Sequence, residues 1–284
     1  MKSYCMLSFD IEDWFQVENL KDAIQRKDWI KEELRVVNNT EKILKILDEY
    51  DTKATFFILG WIAEKAPQLV YKIHQKGHEI ACHGYGHELI YLMEKKEFMK
   101  DIKKSKRILK DITGEEPIGY RAPNFSITDW AIEILREEGF KYDSSYFPVK
   151  LHDRYGNINI DYEYKENNSQ LIQKIEHDLY EVQIPTLNIF NMKIPWGGGG
   201  YFRILPYWIY KKGIEKILKD KGCFVFYLHP WEIDPQQPKV KGIKLSYKIR
   251  HYSGLNKAEY KIKKLLKDFK FISIKEGLGK LNLL

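Results

Sequence analysis

Two histidines four residues apart, His83 and His87, stand in the stretch ACHGYGHELI with Gly84 and Gly86 between them. Two imidazoles plus one carboxylate, with open positions for water, make a hydrolytic zinc-type site. In an extended strand the pair would lie ~13 Å apart at ~3.3 Å per residue, too far to share an ion. A compact turn brings residues i and i+4 together, and glycine tolerates the φ values such a turn needs. The carboxylate must then come from elsewhere. The stretch SFDIEDW offers Asp10, Glu12 and Asp13. Side chains alternate along a strand, so Asp10 and Glu12 face one way and Asp13 the other. Two carboxylates on one side can divide metal binding and proton abstraction. Parity favours Glu12 as the ligand; a bulge at the strand end would put Asp13 there instead.

The elements that must position these residues can be read from hydrophobic period and punctuation. YCMLSF reads as a buried strand ahead of the acids. Residues 39–50 read as a helix capped at Asn39 or Thr40. ATFFILG is a second apolar strand, APQLVYKIHQKG a helix ending at Gly77, and HEIACH a third strand. A helix over 96–112 precedes IGYRAP, which runs from strand to loop. DWAIEILREEG is a helix closed by Gly139, and KYDSS a short strand. EVQIPT is a further strand, PYWIYKKGIEKILKDKG a helix, CFVFYLHP a strong strand, NKAEYKIKKLLKDFKF the last helix and FISI the last strand. Residues 149–170 read as an insertion or long loop. Alternating strands and helices require parallel pairing with crossovers. Seven to eight repeats, with no glycine-rich dinucleotide fingerprint after the first strand, favour an α/β barrel of about seven parallel strands. One domain spans 1–284, with a C-terminal extension from about 240.

In such barrels the site lies at the C-terminal ends of the strands. There the chain places Asp10, Glu12 and Asp13, then His83 and His87, then Arg121, then Asp143 to Ser145, then His229. Each alone is weak; their common rim is the signal. The run PWGGGGYFR would let a polymer approach the backbone between Trp196 and Tyr201 as stacking walls, or form a tight turn with core aromatics. Trp14 and Trp231 either line the cleft or pack beneath it.

The chain has 284 residues, 44% hydrophobic and 31% charged, and a net charge of +7. Its lysine-rich helices near 94–110 and 257–270 suit solvated faces, or a weak, salt-sensitive contact with an anionic membrane. No basic run argues for nucleic acid. Cys5, Cys82 and Cys223 are odd in number and without framework spacing, which fits a reducing compartment. The N-terminal residues show no apolar signal region, and no run of about 20 apolar residues occurs. The expected location is cytoplasmic.

These motifs, in this order, resemble those of the metal-dependent polysaccharide deacetylases, the NodB-like carbohydrate esterase family 4, over essentially the whole chain. SFDIED looks like a D-x-D/E variant of the family's first motif, which implies Asp10 as base and Glu12, or Asp13, as metal ligand. H-x-x-x-H is His83 and His87. R-x-P is Arg121 and Pro123, which implies that Arg121 holds the base. L-H is Leu228 and His229, which implies His229 as the catalytic acid. GGGGYFRILP and LHPWEID look like a subgroup associated with exopolysaccharide assembly. Two departures stand out: Ile11 separates acids that are usually adjacent, and Asn124 occupies the aromatic slot of R-x-P-Y. Asn124, Trp196 and Tyr201 are thus candidate substrate contacts. The resemblance implies a distorted (β/α) barrel, TIM-like, holding one divalent ion, Zn2+ first and Co2+, Ni2+ or Mn2+ otherwise. It implies removal of N-acetyl groups from a sugar in a polysaccharide or a lipid-linked oligosaccharide precursor. Two rival readings use the same residues: a metal-independent, allantoinase-like amidase on a small ureide, and a sugar-binding barrel without catalysis. The second would be expected to lack the base or the acid, and Asp10, Arg121 and His229 are all present.

Overall fold

The computed structural model describes residues 4–149, 156, 171–176, 178–190 and 192–284. Strand β1, Tyr4–Ile11, is buried at all but its first residue, as a strand covered on both faces must be. Helix α1 (Val36–Glu49) leads to β2 (Thr55–Ile58), and α2 (Gly60–Lys65) and α3 (Pro67–Gln75) lead to β3 (Glu79–Cys82). Then come α4 (Lys95–Thr113), β4 (Gly119–Tyr120), α5 (Asp129–Glu137) and β5 (Tyr142–Asp143). Two hairpins follow, β6 (Ile172–Glu176) with β7 (Leu179–Val182), and β8 (Thr186–Ile189) with β9 (Met192–Pro195). The chain continues through α6 (Gly199–Ile204), α7 (Tyr207–Lys221), β10 (Cys223–Leu228), α8 (Leu245–Tyr252), α9 (Leu255–Asp268), β11 (Phe271–Ile272) and α10 (Ile274–Lys280).

The main sheet runs β10-β1-β2-β3-β4-β5-β7-β6. Its first seven strands are parallel, and only the edge strand β6 is antiparallel to its neighbour. The seven parallel strands and their helices make the expected distorted (β/α) barrel, left open between β10 and β6 among the described residues. Strand β11 shares a side of β1 with β2: it pairs Cys5 and Met6, and β2 takes over from Ser8 onward. Helix α10 packs on β1. The stretch after about 240, expected as an extension, is therefore built into the sheet. The expected loop or insertion at 149–170 falls mostly outside the described residues.

Other departures have local causes. Helix α1 starts at Val36, so Asn39 and Thr40 lie inside it rather than capping it. Its free N–H groups at Arg35 and Val36 donate to Asp13 Oδ2, at 2.7 and 2.9 Å. A cap supplied from 22 residues upstream leaves no mark in the helix's own sequence. The strand expected at 181–186 ends at Val182. Helices α2, α6, α8 and α10, of six to eight residues, were not anticipated, since two turns carry too few apolar repeats to register. Cys5, Cys82 and Cys223 are buried and form no disulfide. No helix of the described residues is long and apolar enough to cross a membrane.

Candidate active site

Strands β1 and β3 deliver the ligand set. Past Cys82 the chain turns sharply: Gly84 has φ +71° and His87 φ +56°. A Cβ on Gly84 would stand 2.9 Å from Asp101 Oδ1, and that same carboxylate accepts the Tyr85 and Gly86 N–H groups. The loop is thereby wound so that two residues four apart face one point. The Nε2 atoms of His83 and His87 each lie 2.9 Å from Glu12 Oε1. All three residues are buried, and their ligand atoms fall within 4.8 Å of one another. The donor chemistry fits a divalent metal. His83 Nδ1 lies 2.7 Å from the Arg121 carbonyl, to which only a protonated ring nitrogen can donate. That fixes the tautomer and leaves Nε2 bare toward Glu12, as second-shell bonds do in metal sites. Burial opposes ionisation of Glu12, but the imidazoles of His87 and His229 outweigh it and hold the carboxyl well below its usual range.

Asp13 is elsewhere. Its oxygens accept from the Trp14, Arg35 and Val36 N–H groups, and burial, against those three donors, pushes its carboxyl up to about 6. It caps α1, and Glu12 occupies the ligand position that strand parity favoured.

Asp10 shares the face of Glu12. Arg121, fully buried, donates from Nη1 to Asp10 Oδ1 at 2.7 Å and to Ser8 Oγ at 2.8 Å. Its other nitrogens donate to Ser144: Nε to the carbonyl at 2.9 Å and Nη2 to the hydroxyl at 2.8 Å. The DSS stretch thus supports the arginine. Ser145 Oγ accepts from the Ala122 N–H, and Asp143, behind it, belongs to a buried acid pair with Glu181 in which burial raises both carboxyls.

His229 enters from the end of β10. Its Nε2 lies 3.8 Å from both Asp10 Oδ2 and Glu12 Oε1, across the cluster from Arg121. Its Nδ1 donates to Glu232 Oε1 at 2.8 Å. Glu232 Oε2 in turn accepts from Arg203 Nε at 2.6 Å. Burial alone would pull the imidazole down; the Glu12 charge and the Glu232 bond overcome it and push the group up to about 9. A cation on Glu12 would cancel the first of these and leave the second. Glu232 and Arg203 were missed in the sequence. The signal for Glu232 was its spacing, three residues past His229 at the start of the short 3-10 helix Pro230–Ile233, where the two side chains form a reciprocal cap. Nothing local marks Arg203, which reaches the site only through the tertiary fold.

A pocket opens over Asp10, Glu12 and His229 and is walled by Asn124, Phe125 and Trp231 among others. Asn124 is left-handed at φ +51°, followed by Phe125 at +56°, and its Nδ2 is buried with no partner among the described residues. A free amide donor in this wall suits the expected substrate contact. Trp196 does not: it is buried, stacked on Tyr210 at 5.3 Å and 8°, with Nε1 donating to the Tyr210 carbonyl. Tyr201 projects from α6 and is 39% exposed; the pocket wall nearby is made by Gly199 and Gly200 instead. The glycine run serves close approach to β10, since a Cβ on Gly198 would stand 1.9 Å from the Tyr227 carbonyl oxygen. Trp14 is core, its indole donating to the Glu33 carbonyl. Trp231 lines the pocket while stacked between His229 and His251.

Residues 20–142 match the family profile described as polysaccharide deacetylase, and residues 144–278 match a domain of unknown function, DUF3473. A peptidoglycan deacetylase of Helicobacter pylori is 33% identical over 148 residues, covering 50% of each chain. A peptidoglycan-N-acetylglucosamine deacetylase of Bacillus cereus is 32% identical over 120 residues, 37% of this chain and 44% of that one. The chain thus spans about half the length of these curated relatives. Among solved structures, a Mycobacterium smegmatis protein assigned to the polysaccharide deacetylases superposes with a TM-score of 0.61 at 18% identity, over 99% of this chain and 91% of that one. A carbohydrate esterase family 4 pseudoenzyme of Bacillus anthracis superposes with a TM-score of 0.51 at 14% identity, over 97% and 65%. These two likenesses concern the fold, which carries both an assigned deacetylase and a pseudoenzyme; activity has to be argued from the residues.

Proposed function

We propose, from the premise that the chain belongs to the polysaccharide deacetylase family, that it is a metal-dependent hydrolase removing N-acetyl groups from a sugar. The observation that carries this reading is one constellation: Asp10 gripped by Arg121 on one side, His229 gripped by Glu232 on the other, and Glu12, His83 and His87 between them. An amide carbonyl is a weak electrophile and its amine a poor leaving group, so the site must activate water and protonate nitrogen. Glu12, His83 and His87 would hold a divalent ion, which would supply Lewis acidity and activate water. Asp10 takes the proton of the attacking water. Its Oδ1 is committed to Arg121, which leaves Oδ2 turned toward the cluster and His229. His229 carries the proton for the departing nitrogen on Nε2, because Nδ1 is held by Glu232. Water adds to the carbonyl carbon, the C–N bond breaks, and acetate and a free sugar amine leave. Asn124 Nδ2 offers a donor to the substrate from the pocket wall.

The finer reading is that the sugar belongs to a polysaccharide or to a lipid-linked oligosaccharide precursor, with Zn2+ as the ion. The names of the relatives support the sugar class, and the mixed imidazole–carboxylate set suits zinc. Three buried cysteines without a disulfide support a reducing compartment, where a precursor would be met before export. The test is acetate release from N-acetylated oligosaccharides, with a small ureide as control. Asp10→Asn and His229→Ala are each expected to lower kcat by about 10²–10⁴-fold per folded molecule, the folded fraction being measured because Asp10→Asn also leaves Arg121 buried without its counter-charge. Turnover of the ureide but not of any sugar would move the chain to the amidases.

A further inference from the structure

One pocket-lining cation has no part in the chemistry above. Arg250, part-buried in the last turn of α8, lines the same pocket as Asp10, His229 and Trp231. Its backbone is pinned there. The Arg250 carbonyl accepts from Arg203 Nη2 at 2.8 Å, and the His251 and Ser253 carbonyls accept from Arg203 Nη1. The His251 ring stacks on Trp231 at 4.5 Å. Arg250 is thus fixed to the group of side chains that holds His229. The other arginine of the wall, Arg203, is fully engaged by Glu232 and three carbonyls. The Arg250 guanidinium makes no ion pair or side-chain hydrogen bond to the described residues. Glu18, also in the wall, turns to Lys21 at 3.7 Å.

Arg250 is thus a part-buried cation in the pocket wall, unpaired among the described residues, and a guanidinium fork matches carboxylate and phosphate bidentately. We propose that Arg250 binds an anionic group, a carboxylate or a phosphate, on the sugar next to the N-acetyl unit, so that the chain selects acidic N-acetylated glycans over neutral ones. This rests on the deacetylase reading of the site for its substrate, though not for its anion.

The test measures binding and turnover separately. Calorimetry of the full chain stripped of metal by chelator, with a neutral N-acetylated oligosaccharide, a uronate-bearing one and a phosphate-bearing one, gives affinity without chemistry, and the last two tell the sources apart. Arg250→Gln is expected to weaken binding of the favoured acidic ligand about tenfold or more, as for loss of a charge-assisted bond. KM for that ligand should rise equally, with kcat and the neutral ligand unchanged. Arg250→Lys, which keeps the charge without the fork, should recover part of the loss. Equal losses on neutral and acidic ligands, or none on either, would overturn the proposal. If Arg250→Gln does not fold, salt decides on the unmodified chain: affinity for the acidic ligand must fall with ionic strength more steeply than for the neutral one, and parallel slopes refute it. Acidic preference in binding without acetate release would sink the deacetylase reading and leave the anion site standing.

Discussion

At the scale of single residues, the site is a set of paired charges, each with a named holder. Glu232 holds the proposed acid, His229, and Glu232→Gln should lower kcat about 10–100-fold with little change in KM, as loss of a partner that orients a functional imidazole does. Steady-state kinetics scaled to the folded fraction, since Arg203 loses its buried counter-charge, checks this; an equal rise in KM would instead mark a packing role. Asp143 and Glu181 form the other notable pair. Burial raises both carboxyls above their usual values, so the unfolded chain gives up these protons at lower pH than the folded one. Their contribution is fully present below the ordinary carboxylate range and is lost as pH rises through the folded values. Glu181→Gln mimics the protonated form and can still accept the Tyr146 N–H bond seen at 2.9 Å. Its stability relative to the parent should therefore improve steadily from pH 4 upward, read by urea unfolding; a constant difference would show that the pair does not titrate. Residue types and spacing made Glu12, His83, His87, Asp10, Arg121 and His229 legible, because strand parity and strand ends are local signals. Glu232 escaped although its three-residue spacing from His229 is a local signal, and Arg203 because its role exists only once α6 meets the turn after β10.

At the scale of elements, long periodic segments were legible and short ones were not. Helices α4, α7 and α9 have 19, 15 and 14 residues and the apolar spacing to match. Helix α6 begins inside a glycine run and shows no period, yet it carries Arg203 to the site. Its end is fastened by Lys261 of α9, buried, whose Nζ donates to the carbonyls of Phe202, Arg203 and Leu205 at 3.0, 2.7 and 2.7 Å. The sequence presents Lys261 as one more lysine of a basic helix, and only the fold turns it inward. Lys261→Met should cost about 2 kcal/mol of stability, the scale of bonds to a charged donor, measured from the urea midpoint at constant m-value. A loss below the error of that measurement would mean that α6 is held by packing alone. Most lysines of α4 face outward and pair with glutamates, Lys103 with Glu138 and Lys110 with Glu116 among them, as solvated helix faces do.

At the scale of the molecule, the barrel joins a stretch matching one family profile, residues 20–142, to one matching another, residues 144–278, and the proposed site draws on both and on β1, which precedes them. Residues up to Arg121 bring the proposed metal ligands and base; His229, Glu232 and Arg203 bring the proposed acid and its support. Their meeting follows from β1, which lies between β2 and β10 and carries Asp10 and Glu12 at the seam. Alternation of strands and helices foretold the barrel, but not the return of β11 to β1: FISI reads as a strand, yet the neighbour it pairs with is set by the tertiary fold. The measurement that bears most directly on the proposed chemistry is metal reconstitution. Protein stripped by chelator is titrated with Zn2+ while acetate release from an N-acetylated oligosaccharide and bound metal are followed together, in the parent and in Glu12→Gln and Asp13→Asn. Activity should rise linearly to a plateau at one ion per chain, fail in Glu12→Gln for want of metal, and survive in Asp13→Asn in proportion to its folded fraction. Full activity in the stripped protein, or loss of metal in Asp13→Asn with retention in Glu12→Gln, would contradict it.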